Sequence, residues 1–263
     1  MNKRIIIGIF LVLIISIMGC SRKYTQENDF EAQPIDGGRS VKITKYVGDQ
    51  WEVNIPPKIQ GLPVTHIGEE AFASKNLIKI TIPNNVTSIG DYAFFDNQLT
   101  NITIPNSITN MGIGAFWLND LTNVTIPRNL QKIENRVFGK NRLISITIPN
   151  NIISIGDYAF YDNSLESVII SEGVKLIGED AFGVNRLTSI NIPNSVTFIG
   201  GFAFTNNNNL TSITIGSDVT FGITDFGGSP FFNYGFEDIY DNNNKSSGTY
   251  KRTGYGSTDW IKQ

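Results

Sequence analysis

The apolar positions of this chain follow a 22-residue cycle. Phe72, Phe94, Phe116, Phe138, Phe160, Phe182 and Phe204 are spaced 22 apart, and Leu77, Leu99, Leu121, Leu143, Leu165 and Leu187 keep the same step. Leu210 arrives one residue late, after an extra asparagine in the run 206–209. Ile-x-Ile-Pro recurs at 80–83, 102–105, 146–149 and 190–193, with 124–127 as a near copy. Ile-Gly recurs at 67–68, 89–90, 155–156, 177–178 and 199–200, varied to Met111-Gly112 and Ile133-Glu134. Self-similarity at such a period marks a stacked repeat array.

Within one unit, Ile80 and Ile82 alternate with Lys79 and Thr81, the period-two pattern of a half-buried strand. Pro83 cannot donate to a ladder and ends the strand, and Asn84-Asn85 suits a turn. A small residue precedes each Phe (Ala71, Ala93, Ala115, Ala159, Ala181 and Ala203, with Val137 the exception), letting coils approach while the rings fill the centre. A single unit cannot cover its own apolar side, so the units stack into one continuous core. The pattern predicts one short strand per coil. Eight are expected, at 53–55, 80–82, 102–104, 124–126, 146–148, 168–170, 190–192 and 213–215, their seven spacings of about 4.8 Å spanning roughly 34 Å. An asparagine stands three residues after each Phe from 94 onward (97, 119, 141, 163, 185 and 207). Its amide can hold turn backbone as a structural ladder, or form a row that meets a ligand.

These residues resemble the BspA-like, or treponemal-type, leucine-rich repeats, whose pattern is roughly L-x-x-I-x-I-P, then I-G, then A-F. Six or seven copies match over about residues 41–220. Where that family often has Cys three residues after the Phe, this chain has Asn, in units one residue shorter. The resemblance implies a right-handed, β-rich leucine-rich-repeat solenoid of about seven to eight coils. Val41 to Gly68 would be its N-terminal capping unit. It also implies a surface-exposed protein, since relatives are described as adhesins or binders of host or matrix proteins.

The ends divide the chain further. Lys3 and Arg4 precede an uncharged stretch, Ile5 to Ile17, that stops at Met18-Gly19-Cys20. It is short for a membrane span and suits a cleaved signal over 1–19. The sharper reading is a lipobox, with lipid carried on Cys20; an ordinary signal that contains Cys is the alternative. Ser21 after the cysteine resembles lipoproteins of the bacterial outer membrane, so a lipid-anchored cell-surface location is expected. Residues 20–40 read as the lipidated cysteine and a flexible tether, 41–220 as the solenoid, and 221–263 as a cap. In that cap, Phe236 to Tyr240 and Thr249 to Arg252 read as a β-hairpin, followed by a tail with Tyr250, Tyr255 and Trp260.

Chemistry is sparse. Without Lys3 and Arg4, 19 basic residues face 24 acidic ones, which leaves no electrostatic footprint for nucleic acid. His66 is the one histidine and Cys20 the one cysteine, so neither a Ser-His-acid set nor a zinc site can be assembled. The acids after the Ile-Gly turn, among them Asp91, Asp157, Glu179 and Asp180, read as turn stabilisers. No enzyme, cofactor or metal is expected. Two binding surfaces remain. One is the outward strand face: Lys79, Thr81, Asn101, Thr103, Asn123, Thr125, Ser145, Thr147, Ser189 and Asn191. The other is an aromatic edge of Tyr92, Phe95, Trp117, Tyr158 and Tyr161, whose alternative reading is packing between coils. The expected role is a protein-binding adhesin or interaction scaffold, with an extracellular or partner-cell protein as ligand. A glycan-binding surface module is the alternative.

Overall fold

A computed structural model describes residues 23–222, 228–231, 235–254, 257 and 259–263. Cys20 and Tyr255 lie outside them.

The chain folds as a β-solenoid. Phe72, Phe94, Phe116, Phe138, Phe160, Phe182 and Phe204 are fully buried and form one column. Tyr46 precedes it and Phe231 follows it, with successive ring centres 5.1–5.8 Å apart and planes within 23°. The alanines beside the rings are also buried. Their small size lets the main chain ladder there, as Phe94 N–H donates to Ala115 O and Phe160 N–H to Ala181 O, both at 2.8 Å.

The asparagines are this column's hydrogen-bonding counterpart. Asn141 is buried, its Oδ1 accepts from Leu121 N–H (3.0 Å), and its Nδ2 donates to Phe116 O (3.0 Å) and Phe138 O (3.1 Å). Asn97, Asn119, Asn163, Asn185 and Asn207 repeat this arrangement, each tying its own coil to the preceding one. The structural reading of the column holds. The extra residue falls between Asn207 and Leu210, where Leu210 N–H closes a turn on Asn207 O (2.9 Å), and the register is recovered by Thr211 N–H to Thr188 O (2.9 Å).

The first strand column lies where the Ile-x-Ile-Pro pattern places it, with two gaps. Glu52–Asn54 pairs in parallel with Lys79–Thr81, Ser145–Ile148 with Ser167–Ile170, and Ser189–Asn191 with Ser212–Ile215. Segments 102–104 and 124–126 keep the alternation of buried and exposed residues but are not strands, which corrects the expected count. Each coil also contributes to a second column at the Ile-Gly position. This column runs through Leu62–Ile67, Ser88–Ile89 and Asn110–Met111, then through Lys132–Ile133, Ser154–Ile155, Leu176–Ile177, Phe198–Ile199 and Thr220–Phe221.

Both ends differ from the sequence reading. Residues within the expected tether form a cap: Phe30–Ile35 pairs antiparallel with Ser40–Tyr46, and Phe30 packs on Tyr46 and Phe72. Burying Phe30 against the first rings orders a segment whose polar composition suggested freedom. At the other end, Phe236–Asn242 is a helix (α1), not a hairpin arm. Phe236 and Tyr240, four residues apart, are both buried on one face, and Glu237 and Asp238 sit in the first turn, favourable for the helix dipole. The other expected arm is a strand, Gly248–Lys251. It pairs antiparallel with Ser212–Ile215 and with Ile261–Lys262, closing the end of the first column. Phe231, Phe236, Tyr240, Tyr250 and Trp260 are buried together over the last coil.

Candidate functional site

The outward positions of the first column form one face. Lys79, Thr81, Asn101, Thr103, Asn123, Thr125, Ser145, Thr147, Ser189 and Asn191 are all exposed, because the isoleucine or valine beside each turns into the core. Pairing places Ser145 beside Ser167 and Ser189 beside Ser212. The Lys79–Glu52 ion pair at its N-terminal end spans 3.7 Å in the open and contributes little stability. The face is otherwise hydroxyl and amide.

Three aliphatic side chains break that pattern: Ile78, at the position of Ile144 three coils earlier and 42% exposed, and two more in adjacent coils. Ile169, opposite Thr147, is 61% exposed, and Ile144 is 52% exposed. Trp51, 66% exposed, lies at the array's start, its carbonyl accepting from Ile78 N–H (2.9 Å). Sequence reasoning missed Trp51 because the capping unit is out of register with the repeats and offers no column for comparison.

The aromatic edge has a different character. Tyr92, Phe95, Trp117, Tyr158 and Tyr161 are half-buried. Trp117 lies against Gly139 of the next coil, and Tyr92 against Gly114, where a Cβ would collide with the ring. Trp117 and Tyr161 are parallel within 7° at 6.5 Å, Tyr158 meets Tyr161 edge-on at 5.5 Å, and Arg136 stands 5.4 Å above Tyr158. Tyr92, Trp117 and Tyr161 therefore lean over a glycine one coil on (Gly114, Gly139 and Gly183), while Phe95 and Tyr158 pack edge-on against Tyr92 and Tyr161. This alternation is legible in the sequence and favours packing between coils.

The acidic residues after the Ile-Gly turns hold backbone. Asp91 Oδ1 accepts from Ile113 N–H and Asp157 Oδ1 from Glu179 N–H, both at 2.8 Å. Asp180 is buried, and burial, then the charge of Glu179, pushes its carboxyl up to about 6. Burial and these two acids push the neighbouring Tyr158 hydroxyl up to about 12. His66 Nδ1 lies 2.9 Å from Thr65 Oγ1. Among the described residues no three His, Cys, Asp or Glu gather as metal ligands.

The repeat matches the profile of the BspA-type leucine-rich-repeat region in six copies, over residues 65–183 and 113–236. The chain belongs to that family. A leucine-rich cell-surface protein of Faecalibacterium prausnitzii is similar in structure, with a TM-score of 0.63 and 27% identity over 77% of this chain. The chain spans 56% of that protein's length. A leucine-rich-repeat protein of T. pallidum gives a TM-score of 0.57 at 23% identity, over 83% of this chain and 95% of that one. The second likeness shows the BspA-type fold alone. Curated proteins provide no match.

Proposed function

We propose that this BspA-type repeat protein is a cell-surface interaction scaffold that works as a protein-binding adhesin, through the outward face of the first strand column. The observation that carries this reading is the face itself. It is extended, nearly uncharged, and interrupted by the exposed Ile144 and Ile169, the combination in which a few apolar anchors sit among polar groups that tolerate desolvation. Repeat arrays use such extended faces for binding. The family and the described surface location of the F. prausnitzii relative support a scaffold rather than an enzyme.

Lipid on Cys20 would hold the protein to the bacterial outer membrane. Replacing Cys20 by Ala should move it from the membrane to the soluble fraction, and unchanged fractionation would remove the anchor from this account.

The functional test uses the chain from residue 21, because the N-terminal cap is ordered well before residue 41. Immobilised on a sensor, it should retain at least one extracellular-matrix or partner-cell protein, and Ile144→Asp with Ile169→Asp should abolish retention while leaving circular dichroism unchanged. Retention that ignores both substitutions would place the interface elsewhere. The glycan alternative has less support at the aromatic edge, where the rings are engaged over glycines or against one another.

A further inference from the structure

The second strand column is interrupted at one step. On its N-terminal side, Thr109 N–H donates to Thr87 O (2.9 Å) and Gly112 N–H to Ile89 O (2.8 Å). On its C-terminal side, Ile153 N–H donates to Gln131 O and Gly156 N–H to Ile133 O, both at 2.8 Å. Between them the equivalent bonds, Gln131 N–H to Thr109 O and Glu134 N–H to Met111 O, are not made, and the column divides into two sheets.

Glu134 is the physical cause. It occupies the position held by Gly90, Gly156, Gly178 and Gly200, where an added Cβ would come within 2.6 Å of backbone nitrogen in the preceding coil. Glu134 carries that Cβ, so the two coils stand apart. The opening is one-sided, because Phe116 N–H still donates to Val137 O (3.0 Å). A shallow cleft of about 840 Å³ lies over the open step.

The cleft's free chemistry is neutral and polar. Two carbonyls, Thr109 O and Met111 O, face two amides, Gln131 N–H and Glu134 N–H, without partners across the step. Ser88, Asn110, Asn129 and Gln131 line the walls. The charged groups are engaged: Lys132 with Glu134 at 2.8 Å, and Asp91 with Ile113 N–H. An inserted β-strand would need about 4.8 Å of additional separation, which the bond still made between Phe116 N–H and Val137 O (3.0 Å) does not allow. A hydroxyl fits, since it donates to one carbonyl and accepts from one amide at once. We propose that this cleft binds a neutral, hydroxyl-rich oligosaccharide whose hydroxyls complete the interrupted ladder. The site lies on a different face from the protein-docking surface and does not depend on it.

The test uses the full chain, purified in detergent, on an array of neutral and acidic oligosaccharides, with hydrogen exchange at amides 131 and 134. The wild type should bind at least one neutral series, and that sugar should slow exchange at both amides. Glu134→Gly closes the step, so its amides should be protected without sugar and its binding should fall at least tenfold. Asn110→Ala, which leaves the coil spacing alone, should weaken binding severalfold. Failure to bind any neutral oligosaccharide, binding confined to acidic ones, or equal binding by a closed Glu134→Gly protein would overturn the assignment. Amides that exchange as fast in Glu134→Gly as in the wild type would overturn the account of the open step itself.

Discussion

Replacing Asn141 by Ala tests whether the asparagine column holds the coils together. The substitution leaves Leu121 N–H without a partner and removes one of two asparagine donors from each of the carbonyls of Phe116 and Phe138, which keep Asn119 and Asn163. All three lie at buried positions. An orphaned buried amide or carbonyl costs about 1–3 kcal/mol, and a water entering the small space left would recover part of it. A net loss of about 1–3 kcal/mol is expected. Asn141→Asp keeps the acceptor for Leu121 N–H but points a carboxylate at carbonyls, so it should cost at least as much at pH 7 and less at pH 4, where the protonated acid can donate. Urea unfolding monitored by circular dichroism gives the midpoint. Hydrogen exchange at Leu121 and Leu143 shows whether the loss is local, because a mid-array defect can uncouple the two halves of a solenoid. A destabilisation below about 0.5 kcal/mol, the size expected at the exposed Asn129, would refute the reasoning.

Gly139→Ala should cost about 1–3 kcal/mol by pressing on Trp117 and on the Tyr158 carbonyl, and should shift tryptophan emission; Trp117→Ala in the same chain should relieve the part due to the ring and leave the part due to the carbonyl, measurable as a double-mutant cycle. Stability should fall as pH rises towards and past 6. Asp180's carboxyl is raised in the folded state from 3.8 to about 6, so folding favours the protonated acid, and its ionisation costs at most about 3 kcal/mol once pH exceeds that value. Asp180→Asn should flatten the difference between denaturation midpoints at pH 5 and pH 7.5. Removing residues 245–263 uncovers the Ser212–Ile215 edge and the buried faces of Phe236 and Tyr240, and size-exclusion chromatography should then show self-association that the full chain lacks.

The ring column was legible because a residue as large as phenylalanine repeats only where each copy must meet the same neighbour. The asparagine ladder could be read for the same reason. The second strand column escaped notice because a two-residue strand has no room for alternation, and its ladder is made by whichever residues precede the Ile-Gly corner. Helix α1 was read as a strand because five residues, Phe236 to Tyr240, cannot separate a period of 3.6 from one of 2. The N-terminal cap was missed because Phe30 is a single apolar residue in a polar stretch, and its partners, Tyr46 and Phe72, are supplied by the fold. The outward face was legible residue by residue. The cleft was not, although its cause was visible: the substitution of Glu134 into a glycine column shows in the repeat pattern, but its effect appears only when the coils are stacked.

The additional residue between Asn207 and Leu210 has a practical consequence. The neighbouring coils keep their alignment because side-chain anchors, not chain length, set where each winding begins. That corner is therefore a site where the polypeptide can be lengthened without disturbing what lies before or after it. A peptide tag or a small guest domain grafted there should be displayed on an otherwise intact rod.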